Sequence, residues 1–251
     1  VSHMARFWVT GPDSERFIQL INTFDISQTA IGQSDYGIMC YEDGGIVDDI
    51  FVYHLGEDEW MIVANAGNAE KDWAWLQEHT QGFDVTLTDR SPELAMIALQ
   101  GPKAEAILKE LGGAQAAALP FHGVTQATVA GVAGYVSRTG YTGEDGFELF
   151  VPVADAVALW DALLGAGAQP IGLGARDSLR FEPGLALYGH EIDSDITPYE
   201  ARLGWVVKLD KGPFIGSEAL RDQKAAGAPR TLIGLRMVGR GIARQGMSVQ
   251  T

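Results

Sequence analysis

Two stretches of the chain repeat one order of apolar and polar positions. Residues 5–12 and 95–102 are each a short apolar run that ends at Gly-Pro. A helical spacing of apolar side chains follows each run, over residues 13–24 and 103–111. Proline suits the first turn of a helix, where its missing N–H costs nothing. Both stretches therefore open with a predicted strand followed by a helix.

The same parallel continues further along the chain. In each stretch an acidic Gly-Glu-Asp turn precedes an apolar strand and then a helix that carries a tryptophan, Trp73 or Trp160. The matching pieces are residues 56–58, 60–63 and 69–76 in the first stretch, and residues 143–145, 147–150 and 156–163 in the second. Coincidence is the alternative, because Gly-Pro and Gly-Glu-Asp are common turn sequences.

Each stretch is predicted to run strand, helix, hairpin strands, helix, strand. This order is typical of a ferredoxin-like α+β unit with helices on one face of an antiparallel sheet. We expect two such halves, residues 1–90 and 91–228, packed as a pair. An alternating pattern near the end predicts that residues 229–251 begin a β-rich C-terminal domain whose remainder is absent.

Two further elements are predicted after the repeat. Residues 174–182 have helical spacing, with Arg176 and Arg180 on one face, and the helix is expected to end near Pro183. Residues 201–209 are predicted to form a strand.

The composition of the chain argues against some classes of binding partner. The chain has 251 residues, 46% of them hydrophobic, and a net charge of −15. Such a charge argues against nucleic acid and against an anionic membrane surface. No run of about 18 apolar residues could span a bilayer. A single cysteine, Cys40, excludes an internal disulfide framework and fits a reducing compartment.

The segment from Arg138 to Glu148 is the strongest candidate for a binding site. Its glycines permit close approach of the backbone to a ligand. Donors and acceptors that could orient a polar heterocycle come from Arg138, Tyr141, Glu144, Asp145 and Glu148. The alternative is a long, solvated hairpin loop, since Gly-Glu-Asp-Gly also favours turns.

Two acids follow a Gly-Gly turn at the start of a predicted strand. Alternation places Asp49 on one face with Phe51 and Tyr53, and places Asp48 on the other face. An acid beside two aromatic rings is partly desolvated and needs a hydrogen-bonding partner or a ligand. The alternative is a pair of turn-capping aspartates. At the end of the next strand, Asn65 is expected on local grounds to cap the helix that begins near residues 67–69.

Several familiar catalytic arrangements are missing from the sequence. The five histidines lack the short paired spacings of a zinc site, so we predict no metal. There is no G-x-S-x-G motif, and Cys40 lies in a strand-like run typical of an inert core thiol. Residues 172–176 are not a G-x-G-x-x-G phosphate loop. The residues by themselves therefore predict a polar, aromatic pocket that contains acids.

In order and over essentially the whole chain, these motifs resemble the aminomethyltransferase family, the T-protein of the glycine cleavage system. The motifs are residues 2–4, 44–49, 99–102, 138–148, 174–180 and 204–205. The segments 138–148 and 174–180 are the most specific among them. The family continues into a third, β-rich domain where this chain ends at Thr251.

The resemblance implies an enzyme that depends on tetrahydrofolate as co-substrate. Such an enzyme accepts an aminomethyl group from the lipoyl arm of the H-protein and yields methylene-tetrahydrofolate and ammonia. The family fold implies three domains around a central folate cavity. The implied location is the cytoplasm, or the mitochondrial matrix in a eukaryote.

The resemblance also implies roles for single residues. The acid beside the reacting folate nitrogens falls on Asp49, and its companion amide falls on Asn65. Folate contacts fall on Met4, Tyr36, Tyr53, Tyr141, Glu148, Arg176 and Trp205. Glu148 could accept two hydrogen bonds from the pterin, and Arg176 could hold that carboxylate or meet the pterin oxygen. Tyr141 and Trp205 offer flat faces to the ring system.

Two other functions use the same fold. One is a folate-dependent demethylase, or the folate-binding portion of an enzyme that oxidises dimethylglycine or sarcosine. The other is a folate-binding protein without enzymatic activity, like the iron–sulfur maintenance proteins of the superfamily. Asp49 together with the complete 138–148 segment favours the transferase.

Overall fold

Two antiparallel sheets, each with helices on its outer face, form the frame of the computed structural model, which describes residues 1–242, 244 and 246–248. The strands are β1 (Ala5–Thr10), β2 (Ser34–Cys40), β3 (Ile46–Gly56), β4 (Glu59–Ala64), β5 (Thr86–Asp89), β6 (Leu94–Gln100), β7 (Val124–Val129), β8 (Val132–Ser137) and β9 (Gly146–Pro152). The helices are α1 (Ser14–Ile21), α2 (Ala69–Glu78), α3 (Ala104–Glu110), α4 (Ala114–Ala117), α5 (Ala156–Gly165), α6 (Leu173–Phe181) and α7 (Ser217–Ala226).

Sheet order confirms the predicted α+β class and the internal repeat. The first sheet has the order β2-β3-β4-β1-β5, and the second has the order β6-β9-β8-β7. Strands β3-β4-β1-β5 have the ferredoxin-like arrangement, with β2 added at the edge. In the first sheet β1 pairs with β4, the strand before α2, and in the second sheet β6 pairs with β9, the strand before α5.

The second half departs from the predicted order at its end. Within the described residues no strand follows α5, so the counterpart of β5 is missing. Pro170 and Gly172 interrupt a strand there, and the chain then enters α6, which confirms the helix predicted near Arg176 and Arg180.

The helices and the inter-sheet contact bury the two faces of each sheet. On the first sheet, α1 and α2 bury Phe17 and Leu76 against Phe7, while α3 and α5 cover the second sheet. The other faces meet each other, where Tyr53 packs with Phe150. Each such side chain, fully buried, contributes roughly 1.5–3 kcal/mol. Because the sheets meet face to face, β3 and β9 bring their polar side chains toward one interior.

The strand predicted at residues 201–209 is wrong. Single 3-10 turns occupy Gly204–Val206 and Leu209–Lys211 instead. Arg202 has φ of 62°, a left-handed conformation that lies outside the range of a β-strand. Val206 and its neighbours pack as a third apolar cluster against β2 and β3. The cluster includes the buried Cys40, and this burial raises the pKa of the Cys40 thiol. This packing holds Trp205 beside the first sheet.

The described residues after 228 contain no strand, and the predicted start of a third domain stays a prediction. Part of that prediction, at residues 243, 245 and 249–251, lies outside the described residues. No described helix is long and apolar enough to cross a membrane.

Candidate active site

A cavity of about 1200 Å³ lies where the two sheets meet α6 and the 3-10 turn at Gly204–Val206. All nine residues predicted for the site line it: Met4, Tyr36, Asp49, Tyr53, Asn65, Tyr141, Glu148, Arg176 and Trp205. The volume is ample for a ligand of several hundred daltons. Their common location is a finding, and their individual roles stay predictions.

Asp49 is held at one end of a hydrogen-bonded group on the first sheet. The Tyr36 hydroxyl, on β2, donates to Asp49 Oδ2 at 2.9 Å. Asn65 Nδ2, at the end of β4, donates to Asp49 Oδ1 at 2.7 Å. Burial, reinforced by the neighbouring Asp48, raises the pKa of Asp49 to about 7, although the bonds from Tyr36 and Asn65 pull it down. The carboxyl is therefore poised to change charge near neutral pH.

Asp48 points to the opposite face of β3, as alternation predicts, and is fully buried. Its Oδ2 accepts the backbone N–H of Asn65 at 2.9 Å. Its Oδ1 accepts Asn65 Nδ2 at 2.9 Å and Asn68 Nδ2 at 2.6 Å. Asp48 thus anchors the amide that contacts Asp49.

This anchoring overturns the helix-capping prediction for Asn65. The residue does precede the 3-10 turn Ala66–Asn68, but its side chain makes no capping bond there. Carboxylates accept stronger hydrogen bonds than neutral groups, so the Nδ2 donor goes to the two aspartates. We did not predict Asp48 or Asn68 as site residues. The signal for them was the adjacent acid pair followed by two asparagines three positions apart.

Glu148 on β9 is the second acid of the cavity. Its Oε2 accepts the Thr139 hydroxyl at 2.6 Å and the Tyr53 hydroxyl at 3.2 Å. Burial raises its pKa, while those two bonds and the charge of Arg176 lower it. From the residues that the structure describes, Oε1 receives no hydrogen bond, which leaves that oxygen open to a ligand. Thr139, a supporting residue that we did not predict, lies inside the 138–148 motif.

Aromatic rings form the walls of the cavity. Tyr36 and Trp205 are stacked, with centroids 5.9 Å apart and planes 22° apart. Trp205 is 60% exposed, so its other face is free for contact. The Arg176 guanidinium lies 4.1 Å from the centre of the Tyr141 ring. No ion pair within 4.0 Å joins Arg176 to Glu148 among the described residues, so the structure does not place Arg176 directly on that carboxylate.

Only part of the 138–148 segment serves the cavity. Arg138 pairs with Asp145 at 2.7 Å and with Glu105 at 2.8 Å, so the predicted ligand role of Arg138 and Asp145 is wrong. These ion pairs hold the loop to α3. Tyr141, Glu144 and Glu148 do line the cavity.

Two glycines of the segment make room for Gln100, which explains why the 99–102 and 138–148 motifs occur together. A Cβ added at Gly140 would lie 1.8 Å from Gln100 Oε1, and one added at Gly146 would lie 2.5 Å from its Nε2. Gln100 Nε2 donates to the carbonyl oxygens of Thr139 and Phe147. The loop is therefore a packed structure, and the alternative of a solvated hairpin is wrong.

Comparison with known proteins shows which family has this sequence and fold. The family model described as GCVT N-terminal domain matches residues 1–211. An aminomethyltransferase of Herpetosiphon aurantiacus is 78% identical over 249 residues, which cover 99% of this chain and 69% of that protein. The chain belongs to the aminomethyltransferase family. An aminomethyltransferase of Geobacillus kaustophilus is 51% identical over 255 residues, covering 99% of this chain and 70% of the relative.

A solved structure agrees with the family assignment. The glycine cleavage system aminomethyltransferase T from Bartonella henselae matches with a TM-score of 0.84 and 38% identity, over 90% of this chain and 62% of that one. The predicted family, the α+β fold and the transferase class of enzyme are confirmed. The chain spans about 70% of the length of these two curated aminomethyltransferases.

Among the described residues, no group of three or more His, Cys, Asp or Glu side chains is arranged to hold a metal ion.

Proposed function

We propose that this chain carries the folate site of an aminomethyltransferase of the glycine cleavage system. In the proposed reaction the aminomethyl carbon passes from the lipoyl arm of the H-protein to tetrahydrofolate, and ammonia is released. The observation that carries the proposal is the shared cavity of Asp49 and Glu148, two half-buried acids with supporting donors and aromatic walls. Membership of the family supports the same activity.

The lining residues fit tetrahydrofolate. Glu148 has an open oxygen, Oε1, that accepts ligand N–H groups, and a carboxylate makes strong bonds with such donors. Tyr141 and Trp205 offer flat faces on which a heterocycle stacks. Bound tetrahydrofolate would supply the amine that receives the one-carbon unit. A cavity of this size also leaves room for the arm that delivers the carbon.

Asp49 is the residue that we propose acts on the reacting atoms. In its ionised form the carboxylate stabilises the positive charge that develops on the transferred carbon, and it orients the attacking amine. Tyr36 and Asn65 hold the carboxylate in place, so little reorganisation is needed. Good orientation alone is worth on the order of 7–11 kcal/mol of a barrier.

We retain the division into residues 1–90, 91–228 and 229–251 as a proposal for the domains. The H-protein as partner is likewise proposed, on the strength of the family and the glycine cleavage relative of known structure. The cytoplasm, or the mitochondrial matrix of a eukaryote, stays a prediction.

The experiment that tests the function is an assay of the full-length protein. Aminomethyl-loaded H-protein and tetrahydrofolate are supplied, and ammonia and methylene-tetrahydrofolate are measured. We expect both products with H-protein and neither product with free dimethylglycine or sarcosine. Product from the free amines alone would instead identify a folate-dependent demethylase, and folate binding without turnover of any donor would identify a binding protein.

A further inference from the structure

Asp72, on α2, is a buried acid outside the cavity. Its side chain is 0% exposed, and neither of its oxygens receives a hydrogen bond from an N–H or O–H donor of the described residues. Lys71 Nζ lies 3.7 Å from Oδ1, beyond hydrogen-bonding distance. Burying an ionised carboxylate without donors is very unfavourable. Burial accordingly raises the pKa of Asp72 to about 10, so the group carries a proton at neutral pH.

Asp48 is the neighbouring acid of Asp72. After burial itself, hydrogen bonding with Asp48 and the charge of Asp48 raise the pKa of Asp72 most, and Asp48 already accepts three bonds from Asn65 and Asn68. A bond from a carboxylic acid O–H to a carboxylate is among the strong, charge-assisted kind. It would complete a chain of contacts from Asp72 through Asp48 and Asn65 to Asp49.

The internal repeat shows that the fold does not require an acid at this position. Helices α2 and α5 correspond residue by residue, since Trp73 matches Trp160, and Asp72 therefore matches Leu159. Leu159 is fully buried in the core of the second half. An apolar side chain thus packs stably at the equivalent position of the second half, which lacks the Asp49 cluster.

We propose that Asp72 is a positioning residue for the reaction at Asp49: its protonated carboxyl donates to Asp48, which keeps the Asn65 amide in contact with Asp49. Asp72 and Asp48 do not line the cavity, so Asp72 acts through other residues. The inference of a positioning role in catalysis depends on the proposed function. The inferred protonation and hydrogen bond do not.

Within the part of the chain that the structure describes, Asp72 interacts electrostatically with Asp48 on β3, with Lys71 beside it on α2, and with the tyrosines Tyr41 and Tyr188. Lys71 Nζ donates to the Val47 carbonyl oxygen and to the Tyr188 hydroxyl at 3.3 Å. The competing explanation is an ionised Asp72 paired with Lys71. The two explanations predict different effects of a neutral replacement that retains a donor.

The test compares Asp72→Asn with Asp72→Leu in the full-length enzyme, with Asp161→Asn, an exposed position on α5, as the control. Asn keeps a donor, so we expect kcat within about 3-fold of the wild type. Leu is larger than Asp but shares its branching at Cγ and donates nothing, and we expect kcat to fall about 10-fold to 100-fold with KM for tetrahydrofolate unchanged. A kcat that falls as far in Asp72→Asn as in Asp72→Leu, or that stays unchanged in a folded Asp72→Leu, would overturn the proposal.

Carbon-13 NMR of labelled aspartate provides a readout that needs no turnover. We expect the wild-type Asp72 carboxyl to show the shift of a protonated acid at pH 7.5, and the Asp49 midpoint to rise in Asp72→Leu but not in Asp72→Asn. An ionised Asp72 in the wild type overturns the proposal even if the variants fail to fold. A wild-type enzyme without transferase activity would instead contradict the proposed function and leave the NMR result standing.

Discussion

Replacing Tyr36 with Phe removes one hydroxyl from the Asp49 cluster and leaves the ring. The hydroxyl donates to Asp49 Oδ2 at 2.9 Å, and the ring stacks on Trp205. Because the bond stabilises the ionised carboxylate, its loss raises the pKa of Asp49 above its value of about 7. The stacking surface for the ligand stays in place.

The size of the shift follows from the strength of the bond. A hydrogen bond to a charged group is worth about 1.5–3 kcal/mol, and one pKa unit corresponds to about 1.36 kcal/mol. The cavity admits water, which replaces part of the lost bond, so we expect a rise of about one unit. At pH 7 about half of the wild-type sites and about a tenth of the variant sites would then carry the carboxylate. We therefore expect a loss of about fivefold in kcat/KM at pH 7 that largely disappears by pH 9.

The measurement is kcat/KM for aminomethyl transfer from pH 5.5 to 9.5, together with the carbon-13 midpoint of Asp49. The matched control is Tyr53→Phe, which removes a hydroxyl from Glu148 and should leave the Asp49 midpoint where it is. Equal loss of kcat/KM at every pH, or a midpoint that moves to lower pH, would refute the assignment of Asp49 as the group that must be ionised.

Other changes test separate parts of the site and the fold. Asp49→Ala should lower kcat by roughly 100-fold to 1,000-fold while the Kd for folate, measured by calorimetry, changes little; equal loss of both would make Asp49 a binding residue only. Glu148→Gln should weaken folate binding by about 10-fold or more in the same titration, because a neutral amide accepts weaker bonds than a carboxylate, and an unchanged Kd would contradict ligand contact at Oε1. Because the pKa of Asp72 is raised, the native state binds more protons than the unfolded state from about pH 4 to about pH 10, and the free energy of unfolding should fall as pH rises through this window. Urea titrations at pH 6 and pH 9 measure this fall. The free energy of unfolding of Asp72→Leu should fall less between the two pH values than that of the wild type. Gly140→Ala should lower the melting temperature, because its Cβ would overlap the hydrogen-bonded Gln100 amide, and an unchanged melting temperature would mean that the loop relaxes freely.

Periodicity and turn residues were sufficient for most elements of the fold. The repeat of Gly-Pro, helix, acidic turn, strand and helix predicted both sheets and their helices, since each helix and strand buries one face at a spacing that the sequence displays. The same alternation separated Asp49 from Asp48 along β3. It failed at residues 201–209, where the apolar side chains pack in consecutive 3-10 turns rather than on alternate faces.

Only the tertiary structure decided which side chains from distant parts of the sequence form hydrogen bonds or ion pairs with each other. Locally, Asn65 is a good helix cap, but two carboxylates brought from β3 compete for its amide and win. Arg138 and Asp145 look like ligand groups in the sequence, yet they form an ion pair that holds their own loop. Family resemblance identified nine of the residues that line the cavity, but only the tertiary structure showed which oxygens of Glu148 and Asp49 are already bonded. Local sequence determines which face of an element a side chain occupies, whereas its hydrogen-bonding partner depends on which elements the fold brings together.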